Sequence, residues 1–183
     1  MPFDSQSDEE LMLEVMRGNP QGLEVLSRRY TATLLGFVRR MIFDEHRSEE
    51  IVQEVLITVW EKRDRFQIGR GFRPWLYGIA MNRCRQALRD DRQRNWESLQ
   101  EEATASSLES PTQMLVAQET KVLVETAIDR LPAQQRAVVL LRVWEDLAYS
   151  EIALTLGCTE GTARSHMHHA LKTLRVELEK RLT

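Results

Sequence analysis

The sequence predicts an all-α fold: two small helical domains joined by a flexible acidic linker, the C-terminal domain ending in a helix-turn-helix. Three observations carry that expectation. Apolar residues recur at steps of three or four along most of the chain, the period of helices with one buried face. Only eight glycines and five prolines punctuate 183 residues, and no run of alternating β-branched residues suggests a strand. Between Asn95 and Pro111 the pattern changes to NWESLQEEATASSLESP, acidic, rich in small polar residues and poor in periodic apolar positions. Such a stretch reads as a tether. The expected division is therefore 1–94, a linker over 95–111, and 112–183.

In the first unit, Ser7 with Glu10 three residues later forms a capping box that opens a short helix to about Arg17, where Gly18 stops it. Asn19-Pro20 pairs an N-cap residue with a proline at the first helical position. The helix that follows buries Leu23, Leu26, Tyr30, Leu34, Phe37, Val38 and Met41. A break at Phe43–Arg47 leads to Ser48 as the expected N-cap, with Glu49 and Glu50 well placed in the first turn. Ile51, Val52, Val55, Leu56, Val59 and Trp60 then make an apolar stripe, opposite a polar face of Glu50, Gln53, Glu54 and Glu61. After the basic loop Arg65–Gly71, a helix with Pro74 in its first turn carries Leu76, Ile79, Ala80, Ala87 and Leu88 inward.

In the second unit, a helix over Thr112–Asp129 has Leu115, Val122, Leu123, Thr126 and Ile128 as a partial stripe. Leu131-Pro132 opens another, with Val138, Val139, Leu141 and Val143 reaching to about Glu145. LAYSEIALTLG is a short helix that ends at Gly157, a residue suited to the left-handed cap. Thr159 then caps a last helix from Glu160 to about Arg181. Its inner face is Ala163, Met167, Ala170, Leu174 and Leu178; Arg164, Ser165, His166, His168, His169, Lys172 and Arg175 lie mostly outside. A short helix, a tight turn with glycine and a longer helix with a polar outer face make a helix-turn-helix, whose second helix can enter a major groove.

Composition excludes several function classes. No apolar stretch approaches the roughly 20 residues that cross a bilayer, and the acidic start MPFDSQSDEE is no signal peptide. Cys84 and Cys158 are far apart with no paired spacing, as in a reducing cytoplasm. No glycine-rich phosphate loop or nucleophile–base pairing occurs, so no catalysis and no cofactor are expected. His166, His168 and His169, with Cys158 nearby, are weighed as a metal site and rejected, because His168 leaves the face that the other two share. The net charge of −3 hides strong segregation. Residues 1–27 hold six acids and one base, 62–94 ten bases and three acids, and 95–120 five acids and no base. Local field rather than net charge steers a polyanion.

The most informative stretch is FRPWLYGIAMNRCRQALRDDRQR, Phe72 to Arg94. Arg83, Arg85, Arg89, Arg92 and Arg94 fall largely off its apolar stripe, and Phe72, Trp75 and Tyr77 stand at its head. Arginines beside aromatics suit a single strand, whose bases stack on rings while guanidinium groups hold phosphates.

Three segments together, HRSEEIVQEVLITVW, FRPWLYGIAMNRCRQALR and LPAQQRAVVLLRVWEDLAYSEIALTLGCTEGTARSHMHHALKTL, resemble an RNA polymerase sigma factor. They are similar to the extracytoplasmic-function (ECF) group of the sigma-70 family, over about residues 10–95 and 112–180. The resemblance implies that the Ser48–Lys62 helix docks on the clamp helices of the polymerase largest subunit, with Glu50, Gln53 and Glu54 as contacts. It implies that the Phe72–Arg89 segment opens the promoter and holds the unpaired −10 strand, through Phe72, Arg73, Trp75, Asn82, Arg83, Arg85 and Arg89. The helix-turn-helix corresponds to the −35 reader, with Thr162, Arg164, Ser165, His166, His169 and Lys172 nearest the DNA. Further implied partners are the polymerase flap, promoter DNA and an anti-sigma factor.

The departures from the family pattern are specific. His166, His169 and Leu171 stand where similar members commonly carry arginine, and neutral histidine attracts phosphate weakly. Ala148 replaces a capping serine, and Thr155 an apolar residue. The competing readings are a helix-turn-helix regulator without a sigma role and a helical adaptor that binds protein only. Neither needs both the aromatic–arginine helix and the acidic-faced helix before it.

Overall fold

The computed structural model describes residues 3–98 and 116–182. Among them are eight α-helices and no strand: α1 Asp8–Met16, α2 Pro20–Ile42, α3 Glu45–Glu61, α4 Phe72–Ser98, α5 Val116–Asp129, α6 Ala133–Val143, α7 Tyr149–Leu156 and α8 Glu160–Leu182. Single 3₁₀ turns lie at Phe3–Ser5 and Arg63–Arg65.

The first two caps form as expected. The Ser7 hydroxyl accepts from the Glu10 amide at 3.2 Å, and the Glu10 carboxylate accepts from the Ser7 amide at 2.7 Å. That second bond holds the Glu10 carboxyl below its usual range. Asn19 Oδ1 accepts from the Gln21 amide at 3.1 Å, with Pro20 opening α2. The cap of α3 differs from expectation. It is Asp44, whose carboxylate accepts from the Arg47 amide at 2.8 Å, so α3 starts three residues before Ser48. Phe43 in the left-handed conformation (φ 59°) turns the chain sharply enough to bring Asp44 into place. Ser48 is then buried within the helix and donates back to the Asp44 carbonyl.

Helices α1 to α4 enclose one core. Leu11, Met12 and Val15 of α1 meet Leu26, Leu34, Phe37, Val38 and Met41 of α2, with Ile51, Val55 and Val59 of α3 and Leu76, Ala80 and Met81 of α4. Leu23 and Tyr30, expected inside, are only partly buried against it. Gly22 permits the α1–α2 approach: a Cβ there would lie 2.6 Å from the Leu11 carbonyl oxygen. Asp8 ties the same pair by a 2.8 Å ion pair with Arg29 and by accepting from the Tyr30 hydroxyl. Burial and that bond push the Tyr30 hydroxyl pKa upward.

Helix α4 runs past the expected linker boundary, taking Asn95 through Ser98 into the helix. The linker call from 99 to 111 lies outside the described residues, as do 112–115 at the head of the expected fifth helix. The second core joins Ala137, Val138, Leu140 and Leu141 of α6 to Leu147 and Ile152 near α7 and Ala163, Met167 and Ala170 of α8. Val143, expected in the α6 stripe, is 63% exposed. The helix turns away one residue later, and the Leu147 amide bonds back to the Leu141 carbonyl at 3.0 Å, so Leu147 occupies that part of the core instead. Gly157 takes the left-handed conformation (φ 68°) between α7 and α8, and Thr159 accepts from the Thr162 amide at 3.1 Å.

The two cores are contiguous. Helix α7 lies on α4, and α6 meets the end of α2.

Candidate nucleic-acid interface

Helix α4 is placed by a contact that sequence reading missed. The Glu9 carboxylate of α1 accepts from the Phe72 amide at 3.1 Å, filling one of the donors that a helix N-terminus leaves open and placing a negative charge at its positive end. Phe72, at 1% exposure, and Tyr77, fully buried, are core residues, which corrects their expected place on the strand-binding surface. Phe72 packs edge-on against Tyr30 (5.5 Å between centroids), and Tyr77 against Phe37 (5.3 Å). The run FRPWLY, read by composition alone, hid that helical spacing turns Phe72 and Tyr77 inward. Trp75 is half-buried, 5.4 Å from the Phe66 ring, and walls a cleft with Arg65, Gln67, Arg70 and Leu154.

The remaining α4 candidates divide. Asn82 and Arg89 are exposed, while Arg73, Arg83 and Arg85 are half-buried. Arg83 reaches across to α3, 3.5 Å from Glu54 and 3.0 Å from the Thr58 hydroxyl. Together with Lys62, Ile79, Asn82 and Gln86, Arg83 and Thr58 border an open cleft of 340 Å³. Arg85 donates to Asn82 on its own helix at 3.3 Å, and across to Gln134 and the Leu156 carbonyl at 3.3 and 3.4 Å.

On α3, Glu50 and Gln53 are exposed and Glu54 is half-buried. Arg47 bonds Glu50 at 2.7 Å and Glu54 at 3.2 Å, which pulls its guanidinium pKa upward, Glu50 being the largest cause. Arg47, Glu54 and Arg83 therefore form a chain of charges that links the acidic face of α3 to the basic helix.

On α8, Thr162, Arg164, Ser165, His169 and Lys172 are exposed and His166 is half-buried, while Ala163, Met167 and Ala170 anchor the opposite side. Arg164 is held by Glu160 at 2.5 Å and lies 4.4 Å over the Tyr149 ring, so its guanidinium is fixed between its own helix and α7. Ala148 keeps half of a capping box: its amide donates to Glu151 at 2.7 Å, but alanine has no side-chain acceptor to return.

A helix-turn-helix behind a basic helix and an acidic-faced helix defines a promoter-binding initiation factor. The chain belongs to the sigma-70 family of RNA polymerase sigma factors, in its ECF group: the models for Sigma-70 region 2 and for Sigma-70, region 4 match residues 26–94 and 121–174. It is 26% identical over 178 residues to the RNA polymerase sigma-H factor of Pseudomonas aeruginosa, with 92% of each chain covered. To the ECF RNA polymerase sigma-E factor of Escherichia coli it is 27% identical over 177 residues, again with 92% of each covered. Its fold is similar to that of CnrH, solved in complex with the cytosolic domain of CnrY, at a TM-score of 0.73 and 20% identity over 96% of this chain and 99% of that one. Sigma factor RpoE of Bartonella quintana, solved with the anti-sigma factor NepR, gives 0.65 and 24% over 84% and 96%. Like the family, the chain serves transcription initiation. Among the described residues no helix is long and apolar enough to cross a membrane.

Proposed function

We propose that this sigma factor works by division of labour between its helical units. Residues 1–94 dock on core polymerase and take the −10 element, residues 112–183 read the −35 element, and 95–111 tie them. Glu50, Gln53 and Glu54 form the docking patch on the polymerase clamp helices, and the C-terminal unit meets the flap. The face of α4 with Arg73, Trp75, Asn82, Arg83, Arg85 and Arg89 holds the unpaired strand, and the cleft beside Asn82 and Arg83 receives a base turned out of the stack. Flipping costs a few kcal/mol, which contacts inside such a cleft must offset. Phe72 acts by positioning, since its ring is buried. Thr162, Arg164, Ser165, His166, His169 and Lys172 face the −35 duplex.

The observation that carries this reading is the stripe on α8: five of those six side chains are exposed, and the same helix is locked from behind by Ala163, Met167 and Ala170. The chain itself performs no catalysis; bond formation belongs to the polymerase. Its workplace is the cytoplasm, and an anti-sigma factor is the partner whose kind the solved relatives illustrate.

Gel filtration with core polymerase tests the docking patch. The wild-type chain co-elutes, and Gln53→Ala with Glu54→Ala weakens co-elution while leaving the melting temperature within a few degrees. Undiminished co-elution of the double variant would remove these residues from the patch.

A further inference from the structure

Three of the chain's four histidines fall within four consecutive residues of α8, as His166, His168 and His169. The fourth, His46, lies on α3 beside Glu50. His168 and His169 are exposed and His166 is half-buried. The His168 and His169 rings meet edge-on, 5.8 Å between centroids. At about 3.6 residues per turn, His166 and His168 stand about 160° apart around the helix. That divergence denies them a common metal, yet it suits a helix in a major groove, which has a phosphate backbone along each flank.

The charge of this stretch depends on its imidazoles. From Glu160 to Lys172, two bases against one acid leave a formal +1 with the three histidines neutral and +4 with all three protonated. Arg164 is already engaged by Glu160 and by the Tyr149 ring. The charged groups that the neighbouring helices bring to α8 are also engaged. Arg130, after α5, pairs with Glu177 at 3.1 Å, and Asp129 interacts with Arg136, Arg40 and Glu125. Arg142 of α6 pairs with Asp146 at 3.2 Å, and Glu151 of α7 accepts from the Ala148 amide at 2.7 Å. Further along α8, Arg175 pairs with Glu179 at 2.8 Å. Phosphate is therefore the anion that protonated imidazoles on this face would meet.

We infer that α8 carries a proton-gated duplex-binding face: as pH falls, His166, His168 and His169 become cationic and add phosphate contacts, so promoter DNA is held more tightly. His168 thereby joins the binding face. The gate works between about pH 5 and 8, where imidazole ordinarily changes charge. A phosphate beside an imidazole favours its charged form, so binding takes up protons; affinity rises as pH falls and is lost as pH rises. Two cations with rings 5.8 Å apart repel, and a phosphate reaching both His168 and His169 cancels that repulsion. Proton uptake and DNA binding then reinforce each other. The inference rests on the duplex-reading role given to α8.

The test measures binding of the assembled holoenzyme to promoter duplex drawn from transcripts that rise on overexpression, at about pH 8 and about pH 6, in EDTA and at several salt concentrations. Wild type should bind roughly tenfold more tightly at the lower pH. Its slope of log K against log salt should steepen by about one to two, at about 0.9 for each added contact. His168→Gln with His169→Gln, both exposed positions, should lose most of this gain. Adding His166→Gln should abolish it, whereas His46→Gln should retain it. Wild-type affinity indifferent to pH, or an equal gain in the triple variant, would overturn the inference. Salt-steep binding with no pH dependence would retain the duplex role of α8 and remove the gate; absence of promoter binding at either pH would remove both.

Discussion

The Arg136 guanidinium of α6 donates to the Met41 carbonyl at 3.0 Å, at the end of α2. The same group donates to the Leu131 carbonyl at 3.0 Å and the Asp129 carbonyl at 2.9 Å, and lies 4.4 Å over the Phe43 ring. A cation thus sits at the negative end of α2, and the open carbonyls of one helical unit are satisfied by a side chain of the other. Burial lowers the Arg136 pKa from its usual value, yet arginine keeps its charge where lysine would be pressed to give it up.

Arg136→Met should therefore cost more than its volume change suggests, about 2–3 kcal/mol, because buried carbonyls lose a charged donor. Urea unfolding of the full chain checks this. A cost under about 0.5 kcal/mol would show that water replaces the guanidinium freely.

The Glu9–Phe72 bond gives a second expectation. Glu9→Ala should destabilise by about 1 kcal/mol, the scale of an N-cap together with its dipole contribution, and Glu9→Gln by less, since an amide oxygen still accepts. Thermal melts compare the three chains. An Ala variant as stable as wild type would mean that solvent caps α4 equally well.

Cys84 sets a pH dependence. Burial pushes its thiol up to about 12 from an ordinary value of 9.0. Above pH 9.0 the unfolded chain releases that proton while the folded chain retains it, so stability is full below pH 9.0 and falls as pH rises toward about 12. The loss should be about 1 kcal/mol between pH 8 and 10. Tyr77, also pushed up, chiefly by burial, adds a loss of the same sign at higher pH. Cys84→Ala should flatten the slope between pH 8 and 10; an equal slope in that variant would place its origin elsewhere. In native protein at pH 8, alkylation followed by mass spectrometry should mark the half-buried Cys158 well before Cys84.

In the proposed −35 face, His166 and His169 stand where arginine would carry a permanent charge. The double change His166→Arg and His169→Arg should tighten promoter binding by the assembled holoenzyme. It should also steepen the salt dependence by about one to two units in log K against log salt, one phosphate contact per new cation. An unchanged slope would mean that these positions point past the backbone.

Much of this was legible because local signals and tertiary packing agree. The Ser7–Glu10 box, the Asn19-Pro20 start, the Gly157 turn and the α8 stripe each need only neighbours within four residues. What sequence reading missed depends on distant partners or on competition between two local candidates. Ser48 looked like the α3 cap until Asp44, placed by the left-handed Phe43, proved to stand ahead of it. Phe72 and Tyr77 matched a base-stacking composition, but α4 is packed from three sides and spends both rings in the core. Glu9 capping α4, Arg136 on Met41 and Glu145 under Tyr77 span 63, 95 and 68 residues of sequence, and no period or motif announces such pairs.

Transcription reconstituted from purified core polymerase, this chain and promoters drawn from the transcripts that rise on its overexpression tests the central claim most directly. Core polymerase with the chain should start at those promoters, and core polymerase alone should not. Duplex binding by the chain without any specific starts would contradict its role as an initiation factor.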